Sequence, residues 1–198
     1  MTRLLLIGPP GAGKGTQARW IAEKLGIVAV STGDIFRQNV QSQSPLGLAA
    51  ASYINAGEFV PDSITNAMVR DRLAQQDVRH GFLLDGYPRT PGQVNFLDET
   101  LAERGLELDV VLQLTADTEE LVERLLKRAN RENRADDTAE IIRHRMALYF
   151  EQTTAVTDLY LERGILTKVE GAGAISDVSD RISVALDVAL GLLAETPC

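Results

Sequence analysis

The chain has 198 residues, 44% of them hydrophobic and 24% charged, which is enough for one well-buried core and ordinary for a globular protein. Its net charge of −8 argues against general binding to nucleic acid or anionic membrane, so any polyanion must be met by positive charge concentrated locally. Cys198 is the only cysteine, which excludes a disulfide framework and a cysteine-built zinc site and fits a reducing, cytoplasmic setting.

In chain order, the apolar run Leu4 to Ile7 predicts a short buried strand, too short for a signal peptide or a membrane span. It leads into Gly8-Pro9-Pro10-Gly11-Ala12-Gly13-Lys14-Gly15-Thr16, after which Ala18, Ile21, Ala22 and Leu25 recur at helical spacing. Strand, Gly-rich loop and helix together predict a phosphate-binding loop. Residues without a Cβ let backbone N–H groups close on an anion, the helix adds its positive end, and Lys14 adds a mobile full charge. An ordinary tight turn explains glycines but not the lysine and both flanking elements. Gly15 stands where the general motif has Ser or Thr, one position before Thr16.

Ile27 to Val30 predicts a second strand ending at Ser31-Thr32-Gly33-Asp34, followed by a helix with Ile35, Phe36 and Arg37. The next helix has clear caps: Ser44 at the N-cap, Pro45 at the first position and Gly57 just past the end. Val60-Pro61-Asp62 starts a helix running towards Leu73, and Gly81 to Gly86 is a buried strand ending in the Asp85 carboxylate. Thr90 and Pro91 open a helix with Val94, Leu97 and Leu101 on one side, stopped by Gly105. Asp109 to Leu114 is a fourth strand, and Asp117 with Glu120 resembles a capping box. One long helical stretch covers about 138 to 161, then a strand from Ile165 to Val169. The last helix carries Ile175, Val178, Ile182, Ala185, Leu186, Ala189 and Leu193 on one stripe. About five apolar strands separated by helices predict an α/β fold, a parallel sheet covered on both faces.

Ligands of such sheets bind beyond the carboxyl ends of the strands, where Lys14, Thr32, Asp85 and Arg89 all fall. Asp85 resembles the carboxylate that organises Mg²⁺ in phosphate-loop enzymes; a helix cap or salt bridge would explain a lone aspartate, but its position opposite the loop weakens that reading. Arg124 and Arg128 share a helix face, Arg134 precedes Asp136-Asp137, and Arg145 lies in the next helix. Singly, each arginine reads as a solvated surface residue. With Arg37 and Arg89 they form a set suited to clamping two groups of phosphates.

At this point the sequence resembles the adenylate kinases of the short-lid type, a three-layer P-loop fold with a five-stranded sheet. The matching pieces are Gly8-Pro9-Pro10-Gly11-Ala12-Gly13-Lys14-Gly15-Thr16-Gln17, Ser31 to Arg37, Gly57-Glu58-Phe59-Val60-Pro61-Asp62, and Gly81 to Thr90 with Gln93. Arg124, Arg128, Arg134 to Asp137 and Arg145 follow in the family's order. The resemblance implies a core of residues 1–31, 61–123 and 136–198, a nucleoside-monophosphate segment over 32–60 and a short lid over 124–135. Between Arg128 and Arg134 there is no room for a long zinc-binding lid. Asn133 stands where the family commonly has glycine, and Val156 where it commonly has proline.

The resemblance also implies roles. Gly11, Ala12, Gly13, Lys14, Gly15, Thr16, Arg124, Arg128 and Gly173 would bind ATP. Thr32, Arg37, Gly57, Glu58, Phe59, Val60, Gly86, Tyr87, Pro88, Arg89, Gln93, Arg134 and Arg145 would bind AMP. Lys14, Arg89, Arg128, Arg134 and Arg145 would act on the group in flight, with Asp85 behind an Mg²⁺ carried by ATP and no zinc. The implied partners are ATP, AMP and ADP, handled by a cytoplasmic monomer that binds neither nucleic acid nor membrane. No general base is needed, because the acceptor is a phosphate oxygen that is already anionic. Three rivals are a GTPase switch, which should show an Asn-Lys-x-Asp signature that this chain lacks, a non-catalytic ATP-binding module, and a UMP/CMP kinase of the same family.

Overall fold

In a computed structural model, which describes residues 1–132 and 138–192, five parallel strands form one sheet in the order β2-β3-β1-β4-β5. The strands are β1 (Thr2–Ile7), β2 (Val28–Ser31), β3 (Gly81–Asp85), β4 (Val110–Thr115) and β5 (Leu166–Glu170). Each lies within about one residue or two of its sequence expectation, and a predicted element edge is not sharper than that. Central β1 pairs Leu5 with Leu84 of β3 on one side and with Val111 of β4 on the other.

The uninterrupted apolar runs follow from this position. Leu5 and Ile7 point into one core with Val30, Leu84 and Val111, while Leu4 and Leu6 point into a second with Leu83, Leu112 and Leu114. The first core is closed by α4 (Asp62–Leu73), α5 (Pro91–Ala102) and α8 (Thr154–Glu162), which bring Val69, Val94, Leu97, Val156 and Tyr160. The second is closed by α1 (Lys14–Leu25), α6 (Thr118–Glu132) and α9 (Ile175–Ala189) through Ile21, Leu121, Val178, Ile182 and Leu186. Full burial of each such side chain is worth about 1.5–3 kcal/mol, so both sheet faces must be covered for β1 to sit in the middle. Val156, at the position where the family commonly has proline, is fully buried in the first core.

Several local expectations need correction. Asp117 Oδ1 accepts from the N–H groups of Glu119 and Glu120 at 2.9 and 3.4 Å, but the reciprocal half of the capping box is missing. The Glu120 carboxylate goes instead to Arg124, 2.5 Å away and one turn on. The long helical stretch is two helices, α7 (Ala139–Leu148) and α8, joined by a π-helical turn at Tyr149–Thr153. Ile175, expected on the buried stripe of α9, is 65% exposed at the mouth of the site, and Leu193 lies outside the described residues.

Between β2 and α4 the chain makes a helical hairpin of α2 (Thr32–Gln41) and α3 (Pro45–Ala56). Its turn is held by Ser44, whose Oγ accepts from Gly47 N–H at 3.1 Å and donates to Asn39 Oδ1 at 2.6 Å. Gly57 ends α3 in the left-handed region at φ 76°. Gly47 is placed against the backbone of α2, where a Cβ would overlap the carbonyl of Asn39. A glycine costs a helix interior about 1 kcal/mol, and here it permits two helices to touch. Gly47→Ala is therefore expected to lower stability by about 1–3 kcal/mol through overpacking, read from the urea midpoint. A gain in stability, the usual result of removing a helical glycine, would contradict this contact.

Candidate active site

The carboxyl ends of the strands open into one cleft of about 740 Å³, towards the upper end of the range for small-molecule sites. Its lining includes the described residues singled out above, from Gly11 to Thr16, Thr32, Arg37, 57 to 60, Asp85 to Arg89, Gln93, Arg124, Arg128, Arg145 and Gly173. Arg134, like Asn133, lies outside the described residues. The strand order spreads these groups in space. Thr32 follows edge strand β2, Gly173 follows the opposite edge strand β5, and the phosphate loop and Asp85 lie between them.

The loop ends at Gly13, which is left-handed (φ 87°) and starts α1 without any capping side chain. First-turn N–H groups left uncapped in this way are available to an anion. Gly11 (φ 85°) lies so close to α6 that a Cβ would come within 2.8 Å of the Leu121 carbonyl. Lys14 departs from expectation because it is tied down, its Nζ donating to the carbonyls of Gly8 at 2.8 Å and Pro9 at 3.0 Å. It opens towards the cleft, yet protein surrounds its ammonium group. Lost hydration lowers its pKa to about 8; Asp85 opposes that fall, while Arg89 and Arg128 add to it.

Asp85 at the end of β3 is 8% exposed, and its Oδ1 receives no hydrogen bond among the described residues. Burial pushes its carboxyl up, against the pull of Lys14 and Arg89. A buried carboxylate oxygen without a donor is costly unless something polar arrives. An unpartnered carboxylate oxygen at that place fits a water on a phosphate-borne Mg²⁺, and no group of three acidic, histidine or cysteine side chains among the described residues forms a metal cluster of its own.

The arginines are held as a set. Arg89 Nε donates to Gly86 O at 3.1 Å, and its guanidinium lies 5.0 Å from the Phe59 ring centre. Arg37 pairs with Asp34 at 2.6 Å. Arg124 donates to Gly171 O at 3.0 Å as well as to Glu120, which fixes the loop after β5. Arg145 Nη2 approaches Ile54 O at 3.4 Å, joining α7 to the hairpin.

At the β2 side, Thr32 Oγ1 donates to Gly86 O at 2.9 Å, and Gly86 (φ 82°) leaves the space for it, since a Cβ would reach 2.8 Å from that hydroxyl. Gln93 is 2% exposed and engaged at both ends, Nε2 donating to Asp62 Oδ1 and Oε1 accepting from Arg89 N–H, each at 2.7 Å. His144, given no role by the sequence, meets Glu58 at 2.7 Å across the cleft edge.

Sequence reasoning missed four contributors. Tyr149 and Thr153 line the cleft from the π-helical turn, and Thr153 Oγ1 donates to Arg89 O at 3.3 Å. Gln17 Nε2 donates to Ile175 O at 3.1 Å and Gln17 Oε1 accepts from Ser179 Oγ at 2.9 Å, which fixes the start of α9 at the mouth. Asp62 is the fourth. One extra residue in a helix leaves no mark on apolar spacing, and partners 31 or 158 positions away leave none on local pattern.

A family model described as adenylate kinase matches residues 6–165. A protein named adenylate kinase from Renibacterium salmoninarum is 63% identical over 94% of this chain and 97% of its own length. Others so named are 62% identical in Pseudarthrobacter chlorophenolicus, over 96% of this chain and 98% of that protein, and 54% identical in Thermobifida fusca, over 93% and 97%. With a family model covering most of its length and relatives alike from end to end, the chain belongs to the adenylate kinase family.

Proposed function

We propose that the chain catalyses reversible, Mg²⁺-dependent transfer of a phosphoryl group from ATP to AMP, giving two ADP, as a cytoplasmic monomer. The observation that carries this reading is one cleft spanning the sheet from β2 to β5, with Lys14, Asp85, Arg89, Arg128 and Arg145 in its lining. One polyanion fits over the phosphate loop and the loop after β5, a second over Thr32 and Gln93. Membership of the adenylate kinase family supports the same activity. No helix of the described residues is long and apolar enough to cross a membrane.

A phosphate oxygen of AMP attacks the terminal phosphorus of ATP, the bond from that phosphorus to its bridging oxygen breaks, and ADP leaves with the electron pair. No proton has to be removed, so the protein's part is positioning and charge. Lys14 and the loop amides hold the ATP phosphates, with Arg124 and Arg128 on the α6 side. Arg37, Arg89, Arg134 and Arg145 hold the AMP phosphate and the group in transit. Asp85 would hold, through water, the Mg²⁺ that travels with ATP, and that ion would neutralise part of the phosphate charge. Residues 32–60 act as a segment closing over AMP and 124–135 as a short lid, which together exclude water as a competing acceptor. Adenylate kinase is itself a standard example of such lid closure. The UMP/CMP kinase alternative is not favoured, since relatives named adenylate kinase match throughout.

Lys14 gives a test with a sign. Its free-state pKa of about 8 lies below its ordinary value because charge is hard to hold there, and a polyphosphate beside it raises that pKa. Above about pH 8, ATP binding should then take up as much as one proton, and affinity should fall as pH rises through that range. Calorimetry in buffers of different ionisation enthalpy reads the uptake, and Lys14→Met should lose it. The same variant removes a charge that is costly to bury below pH 8, so it should fold while losing turnover in kcat. Uptake unchanged in Lys14→Met would sink the assignment.

Mixing the protein with ATP and a panel of monophosphates tests the reaction itself. AMP should be much preferred to CMP and UMP, and Gln93→Ala should erode that preference by about 1–3 kcal/mol. Equal kcat/KM for AMP and CMP would return the protein to the alternative. Elemental analysis of the purified protein should find no stoichiometric zinc, and finding it would contradict the short lid.

A further inference from the structure

Asp62 opens α4 directly after Val60 and Pro61, and both its oxygens reach across to the start of α5. Oδ2 accepts from Thr90 Oγ1 at 2.8 Å, and Oδ1 accepts from Gln93 Nε2 at 2.7 Å. Gly92 leaves room for this approach, since a Cβ there would stand 3.3 Å from Asp62 Oδ2. On its other side, Gln93 Oε1 accepts from the Arg89 N–H.

A carboxylate only accepts hydrogen bonds and a peptide N–H only donates them. An amide held between the two therefore has one orientation, with its NH₂ towards Asp62 and its carbonyl towards Arg89. Turned over, it would set oxygen against carboxylate and N–H against N–H. In the held orientation Gln93 keeps one N–H and one lone pair for a ligand, in a fixed spatial order. Adenine presents an acceptor at N1 and a donor at its 6-amino group. A 6-oxopurine presents the reverse, a donor at N1 and an acceptor at O6. The order of donor and acceptor on Gln93, beyond their presence, decides which edge pairs.

We propose that Asp62 is a positioning residue for base specificity, locking the Gln93 amide in the orientation that pairs with a 6-aminopurine and rejects a 6-oxopurine. The proposal rests on the reading of Gln93 as the group that meets the base of the acceptor nucleotide. Without Asp62 only the Arg89 N–H biases the amide, which can turn over to match hypoxanthine. A buried site built for one hydrogen-bond pattern discriminates strongly only while that pattern is enforced.

The experiment measures kcat and KM for AMP and for IMP in the wild type, Asp62→Ala, Asp62→Asn, Gln93→Ala and the Asp62→Ala/Gln93→Ala double variant. Melting temperatures show which variants are folded. Asp62→Ala should lower the AMP:IMP ratio of kcat/KM by about tenfold, with KM for AMP rising more than its kcat falls. Asp62→Asn can still turn its Oδ1 to the Gln93 amide and should recover most of the ratio. In the double variant the ratio should equal that of Gln93→Ala alone, because Asp62 acts through Gln93. If Asp62→Ala does not fold, Asp62→Ser takes its place, its hydroxyl being one bond too short to reach Gln93, with the same loss expected. A folded Asp62→Ala or Asp62→Ser protein with the wild-type ratio, beside an effective Gln93→Ala, overturns the proposal and leaves the base reading standing. So does an equal effect of Asp62→Ala in the Gln93→Ala background. A silent Gln93→Ala overturns the base reading, and the proposal falls with it.

Discussion

Positive charge held beside positive charge, before any polyanion arrives, is the constraint on which the site depends. Arg89 and Arg128 each interact unfavourably with the Lys14 ammonium across the cleft, in a protein whose net charge is −8. Two unit charges about 4 Å apart repel by about 4 kcal/mol at the effective dielectric of a protein surface. The fold meets this cost with local partners. The Lys14 ammonium rests on the carbonyls of Gly8 and Pro9, Arg89 rests on Gly86 O and the Phe59 ring, and Asp85 supplies a buried negative charge between them. All of these partners are short-range and neutral or singly charged, so a polyphosphate outcompetes them. Under the proposed function, the repulsion present in the empty protein is converted into affinity and transition-state stabilisation once phosphates bind.

Strand order turns that charge cluster into a two-ligand site. With β1 central, the phosphate loop emerges in the middle of the sheet, and β3 beside it delivers Asp85, Gly86 and Arg89 to the same point. The flanking strands carry what lies at the two ends, Thr32 after β2 and the loop from Gly171 to Gly173 after β5. That second loop is anchored three times: Gly171 N–H to Thr115 O at 2.7 Å, Gly171 O to Arg124, and Ala172 O to Arg181. Arg124 is therefore a brace for one end of the cleft as well as a cation on its wall. A sheet buried on both faces is what makes the spacing rigid, since moving β1 would disturb two cores at once.

The fold was legible because its signals are local. Short apolar-rich runs marked all five strands, unbroken in β1 and broken by Gln113 in β4 and by Thr167 and Lys168 in β5, and Ser44, Pro45, Gly57, Thr90 and Pro91 marked helix ends that the structure places as expected. The phosphate loop was legible because its spacing, lysine and flanks coincide within a few residues. What sequence could not carry was partnership at a distance. Asp62 reads as a helix start until Thr90 and Gln93, 28 and 31 positions on, are brought against it. Lys14 reads as a free charge until the loop curls its own carbonyls back onto it. Glu120 is a different case, in which two local signals compete and the i,i+4 pair with Arg124 wins the carboxylate from the capping box.

The hairpin of α2 and α3 is built as a unit and fitted to the edge of the site. Its contacts with α7 include Gly57 against Ile141, Ile54 O against Arg145, and, just past the end of α3, Glu58 against His144. The first is a fit of shape, since a Cβ on Gly57 would come within 2.7 Å of Ile141 Cγ2. The second is long at 3.4 Å, and the third joins two exposed side chains, a class of pair worth only about 0–1 kcal/mol. Within the hairpin, by contrast, Gly47 lets the two helices pack backbone to backbone and Ser44 bonds both of its neighbours. Interactions inside the unit are thus tight, and the contacts with α7 are slight beside the anchorage at its base, where Phe36 joins the first core and Thr32 bonds Gly86 O. Under the proposed function, Arg37 on this unit and Arg89 and Arg145 outside it would let a bound phosphate tie the segment to the core when it closes over AMP.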